Sequence, residues 1–291
     1  MSRPVIAIGT CVELPEPDVD EDLLNEALRA RDLEPVLIPW DGEHASWSEF
    51  AAVVLRSTWN YLDDPVRFER WLEAAERGSQ LWNRLDIARW NIDKRYLLEL
   101  TERGVPVLPT KWLERGTRAQ VAEILDETGW RDIVIKPAIS AGSFGTKRFS
   151  SDEIADAQAF LEEGLSERDQ LVQEYQASVE TAGEQAIVII DGEVTHVVRK
   201  NPRFSGDDES VSEAREPTDD ERKFAVKALE ASEPSIGSWR ELLYGRVDVI
   251  PDAKGNLLLA ELELLEPSLF FLQAPHALER FADAIARRVR A

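Results

Sequence analysis

GRVDVIPDAKGNLLLAELELLEPS, residues 245–268, sets two apolar runs of strand length around a Pro-Asp-Ala-Lys-Gly-Asn turn. A turn centred near Lys254 and Gly255 puts Asp248 opposite Glu261 and Arg246 opposite Glu263. Residues two apart share a strand face, so Asp248, Glu261 and Glu263 converge on one side together with Arg246. Three close carboxylates repel one another unless a cation sits among them. An oxygen-only set selects a hard divalent ion that also takes phosphate oxygens, Mg²⁺ first and Mn²⁺ as the alternative. The plain structural reading is an exposed hairpin with one acidic face, salt-bridged to Arg246. The hairpin by itself leaves both open.

Working outward, DIVIKPAISAGSFGTKRF (132–149) reads as a buried-type strand that delivers Lys136 into a loop of small residues. Gly142 and Gly145 permit backbone conformations closed to other residues. Successive free N–H groups in such a loop, with Ser140 and Ser143, can cradle phosphate oxygens. It is neither a Walker A loop nor a dinucleotide turn, and an ordinary hairpin loop is the simpler alternative. WNIDKRYLLEL (90–100) places Lys94 on the solvent side of an amphipathic helix expected over residues 92–101. In LVQEYQASVETAGEQAIVII (171–190) an apolar strand runs into Gln173, Glu174 and Tyr175, with Glu180 and Glu184 following. Such a crossing offers backbone groups to an adenine edge and a carboxylate to ribose hydroxyls; a plain acidic loop is the alternative.

The 291 residues suffice for two or three packed units. The first 88 alternate strand and helix: strands at 5–8, 36–38 and 52–55, a helix capped by Asp20, and another after Pro65. That rhythm predicts a small, open, mainly parallel sheet. Ligands of such sheets sit beyond the strand C-termini, which singles out Arg56, Ser57, Trp59 and Asn60. A second, α+β unit spans 89–170, with a helix over 151–163. A third spans 171–291, opening on a strand at 171–175. It holds a hairpin about Asp191-Gly192, a polar loop over 201–218, a helix over 219–231 and a C-terminal helix over 277–290. Arg199, Lys200 and Asn201 follow a strand of this unit and, with Arg56, are candidates for a substrate carboxylate. Glu266 and Ser268 close the hairpin, and Glu266 is read as a contact for an amine or as a cap. A structural ion pair is the competing reading for Arg56, and packing for Trp59.

The formal net charge of −22 argues against nucleic-acid binding. No apolar run approaches the ~20 residues that span a bilayer, and the N-terminus reads as a first strand rather than a signal. A single cysteine, Cys11, fits a reducing compartment. A cytoplasmic location is the expectation. His44, His196 and His276 read as surface or packing residues, and no Ser/Cys–His pair is evident.

The order of the elements resembles the ATP-grasp superfamily: a helical lysine, a strand-end lysine before a small-residue loop, Gln-Glu-Tyr, then Arg-Val-Asp and Glu-x-Glu strands. The match covers about residues 91–268. The hairpin is similar to that of the D-alanine–D-alanine ligase and glutathione synthetase relatives, with Glu263 where Asn is usual and Pro267-Ser268 in place of Pro-Gly. A smaller group, which includes the enzyme closing the D-cycloserine ring, is closer still. Shared with it are Arg56-Ser57-Thr58-Trp59, residues 89–97, residues 245–248 and residues 261–269. The loop after Lys136 and the stretch 199–207 differ from that cyclase, pointing to another substrate.

The resemblance implies an α/β and α+β ATP-grasp fold, an N-terminal βαβ domain plus two subdomains clamping ATP. It implies that Lys94 and Lys136 contact ATP phosphates under a lid running from Ser140 through Gly142 and Ser143 to Gly145. Gln173, Glu174 and Tyr175 would meet adenine, and Glu180 or Glu184 the ribose. Asp248, Glu261 and Glu263 would hold Mg²⁺, and Arg246 would act with Lys136 on the transferred phosphoryl group. The activity so implied is ATP-dependent ligation of a small carboxylate to an amine through an acyl phosphate. An intramolecular cyclase, a silent nucleotide-binding module and an ATP-independent metal hydrolase are the alternatives. A homodimer is a family-level expectation.

Overall fold

The computed structural model describes residues 3–43, 46–201 and 210–291, so His44 and residues 202–209 of the polar loop named above lie outside the described residues. Within them the strands form three four-stranded sheets. The first comprises β1 (Val5–Thr10), β2 (Glu34–Pro39), β3 (Ala52–Leu55) and β4 (Leu81–Trp82), all parallel, in the order β2-β1-β3-β4. Alternate side chains feed two cores. Ile6, Ile8 and Val54 pack with Leu24 and Leu28 of the helix Glu21–Arg29 and with Phe281 and Ile285 of the C-terminal helix Pro275–Arg290. Ala7, Val53 and Leu55 pack with Phe68, Trp71 and Leu72 of the helix Pro65–Gly78. Covered on both faces, β3 has no polar position to spare, which is why it reads Ala-Val-Val-Leu.

The second sheet comprises β5 (Thr110–Leu113), β6 (Asp132–Pro137), β7 (Lys147–Ser150) and β8 (Gln170–Glu174), antiparallel, in the order β5-β8-β6-β7. The third comprises β9 (Glu184–Ile190), β10 (Glu193–Lys200), β11 (Tyr244–Pro251) and β12 (Leu257–Glu263), antiparallel, in the order β10-β9-β11-β12. Asp191 and Gly192 turn the β9–β10 hairpin with φ of 51° and 68°, as that dipeptide demands.

Several expectations need correction. The strand expected to open the third unit is β8, which lies between β5 and β6. A strand buried on both faces belongs inside a sheet, and the middle of the second sheet is that place. Asp20 precedes its helix without capping it; its carboxylate instead accepts from the backbone N–H groups of Phe271 and Leu272, at 3.0 and 2.9 Å. The helix expected from Ser151 begins at Ile154, because Glu153 folds back to accept from the Ser150 N–H and hydroxyl. The helix from Asp219 runs past Ala231 to Ile236, fixed by a reciprocal Thr218–Glu221 cap. Part of the polar stretch before it is ordered, since Val211 and Arg215 bridge to Lys200 and Val197 of β10.

Candidate active site

The β11–β12 hairpin has the expected pairing at its chemical end. Asp248 faces Glu261 and Arg246 faces Glu263. Nearer the turn the register differs by one residue, Val249 facing Leu259, and an extra residue, Ala260, bulges out between the two registers. Without that bulge, straight extension would set Asp248 against Ala260.

The carboxylates on this face are each held by a cationic side chain. Asp248 is wholly buried. Arg246 donates to both its oxygens, at 2.8 and 2.9 Å, and Lys200 Nζ lies 2.6 Å away. Arg246 also bonds Glu263, and Lys200 pairs with Glu184 at 2.5 Å. Lys94 pairs with Glu261 at 2.9 Å and donates to the Ser140 carbonyl at 2.7 Å. Burial pushes Asp248 up, but Arg246 and Lys200 outweigh it and hold the group well below the usual carboxylate range. Glu261 is likewise raised by burial and lowered further by Lys94 and Lys136. Burial and the neighbouring Asp248 push Glu263 up despite Arg246, leaving it short of positive charge.

These facts test the metal assignment. Among the described residues, no three His, Cys, Asp or Glu side chains form a group able to hold an ion by themselves. Of the three carboxylates read as ion ligands, Asp248 is paired with Arg246 and Lys200 and does not border the cleft. Glu261 and Glu263 do border it. Their oxygen donors, with one carboxylate under-compensated, fit a hard ion that draws its other ligands from phosphate oxygens.

The cleft runs between the second and third sheets and ends at the first. Its inner part is apolar, lined by Leu108, Val134, Val179, Ile250, Ala260 and Leu262, with Gln173, Glu174 and Tyr175 at the end of β8. Lys136 reaches it from β6, and burial lowers its pKa. Ser140, Gly142 and Ser143 border it from the small-residue loop, where Gly142, Ser143 and Gly145 all have positive φ. Gly145 lies outside the lining; a Cβ there would meet the Pro137 ring at 2.9 Å. Lys94 is buried rather than solvent-facing. The expected helix is two, Leu85–Asn91 and Tyr96–Glu102, and Lys94 sits in the break with its N–H on the Ala138 carbonyl.

A family model described as "D-cycloserine synthetase DcsG, N-terminal domain" matches residues 6–83. The "Cycloserine biosynthesis protein DcsG" of Streptomyces lavendulae is 30% identical, over 98% of this chain and 99% of that one. The crystal structure of D-cycloserine synthetase DcsG superposes with a TM-score of 0.90, at 30% identity and covering 98% and 99% of the two chains. This chain belongs to the DcsG family. The wider fold is shared with D-alanyl-alanine synthetase A from Vibrio cholerae, at 15% identity and a TM-score of 0.72 over 100% and 98% of the chains. The ATP-grasp ligase PsnB, solved with minimal precursor, Mg and ADP, matches at 22% identity and a TM-score of 0.64 over 99% and 98%.

In this DcsG-family chain the expected substrate residues divide. Trp59, Asn201, Glu266 and Ser268 border the cleft, and Lys200 does so among the acidic residues. Arg56 and Ser57 do not. Arg56 is 2% exposed, donates to the Pro267 carbonyl at 2.9 Å and lies over the Phe271 ring; Ser57 bonds the Thr10 hydroxyl. Arg199 points away, its aliphatic stem against Gly183, because it alternates with Lys200 along β10. Glu180 also lies off the cleft, bonded by Tyr175 and Arg148, which leaves Glu184 of the two ribose candidates. Residues missed at the sequence level include Val134 and Ile250. Both had a signal, being two positions from Lys136 and Asp248 on the same strand faces. Glu16 borders the cleft from a loop and Tyr61 from the 3-10 turn Tyr61–Asp63, and neither had one.

Proposed function

We propose that this chain uses ATP and Mg²⁺ to activate a small, amino-acid-like carboxylate as an acyl phosphate, which an amine then captures with release of ADP and phosphate. The observation that carries the proposal is the gathering of Lys94, Lys136, Lys200 and Arg246 with Glu261 and Glu263 along one cleft that has an apolar inner end. Phosphoryl transfer to a carboxylate asks for positioning and charge neutralisation rather than a protein nucleophile. Lys136 and Lys94 would hold phosphate oxygens. Arg246, fixed by Asp248, would face the charge developing on the transferred group. Glu261 and Glu263 would hold Mg²⁺, which supplies Lewis-acid neutralisation of the phosphates when bound. The apolar lining with Gln173 to Tyr175 would take adenine, and Glu184 the ribose.

In this reading residues 1–88 supply the substrate end, 89–170 the phosphate loop, and 171–291 the metal hairpin, with β8 counted in the central unit. ADP release by purified protein, stimulated by members of a panel of amino acids and ureido- or hydroxamate-like acids, tests the proposal. Release that no acid stimulates would refute it. The second reading, ring closure within one substrate, is favoured by the likeness to a cycloserine biosynthesis protein over 98% of the chain. A product mass equal to one substrate less water, formed without an added amine, would select cyclisation.

A further inference from the structure

We infer that the part of the cleft lined by Glu266, Trp59 and Tyr61 is an ammonium-binding subsite, in which the Glu266 carboxylate and the two aromatic side chains receive the charged nitrogen of an amino-acid substrate. The inference rests on the ligase reading for the word substrate, and on four observations for the subsite.

Glu266 is 8% exposed yet borders the cleft. Among the described residues no other side chain bonds its carboxylate; the hydrogen bond it receives comes from its own backbone N–H. Three other acidic side chains that line the cleft have cationic partners: Glu261 has Lys94, Glu263 has Arg246 and Glu184 has Lys200. A nearly buried carboxylate without a counter-charge is costly unless a ligand provides one. Consistently, burial pushes Glu266 up to about 7, with Lys94 and Arg246 only partly offsetting it.

The surroundings favour a cation over an anion. The charged side chains that act on Glu266 are Lys94, Glu261 and Arg246, and both cations are committed elsewhere, Lys94 to Glu261 and the guanidinium of Arg246 to Asp248 and Glu263. Two aromatic side chains complete the wall. Trp59 Nε1 donates to the Glu266 carbonyl at 3.1 Å, which fixes the indole beside the carboxylate. The Tyr61 ring is stacked on Phe68 at 5.1 Å, and Glu266 is the largest charged influence on its hydroxyl. A carboxylate flanked by aromatic faces is the usual composition of an ammonium site.

Calorimetric titration of the full chain with glycine, D-alanine and L-alanine, each beside its N-acetyl form, tests the subsite without requiring turnover. The expected result is that at least one free amino acid binds and its N-acetyl form binds at least tenfold more weakly. Glu266→Gln should weaken that amino acid tenfold or more and Glu266→Asp less, with ATP affinity within twofold in both variants showing an intact fold. Equal binding of free and acetylated forms, no binding of any amino acid to the wild type, or an unchanged affinity in Glu266→Gln would each overturn the inference. ADP release measured in parallel separates the two readings. Glu266-dependent binding without ADP release leaves the subsite standing and removes the ligase. Release driven equally by acetylated acids keeps the ligase and removes the subsite.

Discussion

Lys94 and Glu261 form an ion pair of 2.9 Å between the break separating two helices and strand β12, with side chains 5% and 25% exposed. The pair ties the central unit to the C-terminal sheet at the cleft. Removing one partner leaves the other charge largely buried and uncompensated, which costs about 3 kcal/mol. Lys94→Met and Glu261→Gln should therefore each lower stability as well as nucleotide affinity. The double variant should lose less than the sum of the singles. Denaturant titrations of the four proteins measure this; strictly additive losses would show that the pair is not coupled.

Lys136 should behave differently. Among the described residues it has no ion-pair partner, and burial lowers its pKa. Its charge is thus a net burden on the fold, only partly offset by Glu261 and Glu184. Lys136→Met should keep or raise the melting temperature while weakening ATP tenfold or more. Calorimetry with ATP and a thermal melt separate the two effects, and a variant that loses both would make Lys136 structural.

Asp248 gives a third contrast. It is fully buried and neutralises both Arg246 and Lys200. Asp248→Asn should abolish ATP turnover, and it should also destabilise the fold by about 2 kcal/mol or more, since Arg246 and Lys200 each lose one of two counter-charges and keep only Glu263 and Glu184. A variant as stable as the wild type in urea would show that other groups carry that charge.

What could be read from sequence follows from how local each cause is. The parallel first sheet and the Asp191-Gly192 hairpin were legible because their signals, apolar runs and a turn dipeptide, lie within a few residues of the structure they dictate. The pairing of Asp248 with Glu261 was legible too, though by way of a turn centre that the bulge at Ala260 offsets. Lys94 was misplaced because nothing in WNIDKRYLLEL breaks a helix. The break is held from outside, by the Ala138 carbonyl and by Asn91, which bonds Leu262 and Leu264 of the hairpin. Arg56 fails for the same reason: its partners, Pro267 and Phe271, are distant in the chain. The part of the cleft lined by Glu16, Trp59, Tyr61 and Glu266 is assembled from three separate regions of the chain, and no periodicity announces it.

Two glycines isolate backbone conformation from crowding. Gly192 and Gly255 have φ of 68° and 86°. A Cβ on Gly192 would meet the Arg240 carbonyl oxygen at 2.4 Å, whereas a Cβ on Gly255 meets nothing within 4 Å. Gly255→Ala should cost about 1 kcal/mol, the left-handed penalty alone. Gly192→Ala should cost about 2–4 kcal/mol, because Trp239–Glu241 must also move. Equal losses in urea titrations would show that this segment yields freely.

His196 supplies a pH dependence. Its ring is 1% exposed, with Nε2 3.1 Å from the Leu269 carbonyl and Nδ1 2.9 Å from the Thr195 hydroxyl. The neutral ring that donates from Nε2 and accepts at Nδ1 satisfies both. Burial, with the nearby His276, lowers its pKa from 6.5 to about 4, only partly opposed by the Leu269 carbonyl. The unfolded chain therefore takes up this proton first as pH falls. The stabilisation is complete above pH ~6.5 and is lost progressively toward pH ~4, to the extent of about 3 kcal/mol. Carboxylates titrate in the same window, so the informative quantity is the difference between wild type and His196→Gln. The variant should be less stable at pH 7.5, and the gap should narrow as pH drops to 4.5. A gap that stays constant across that range would show that His196 does not resist protonation in the folded protein.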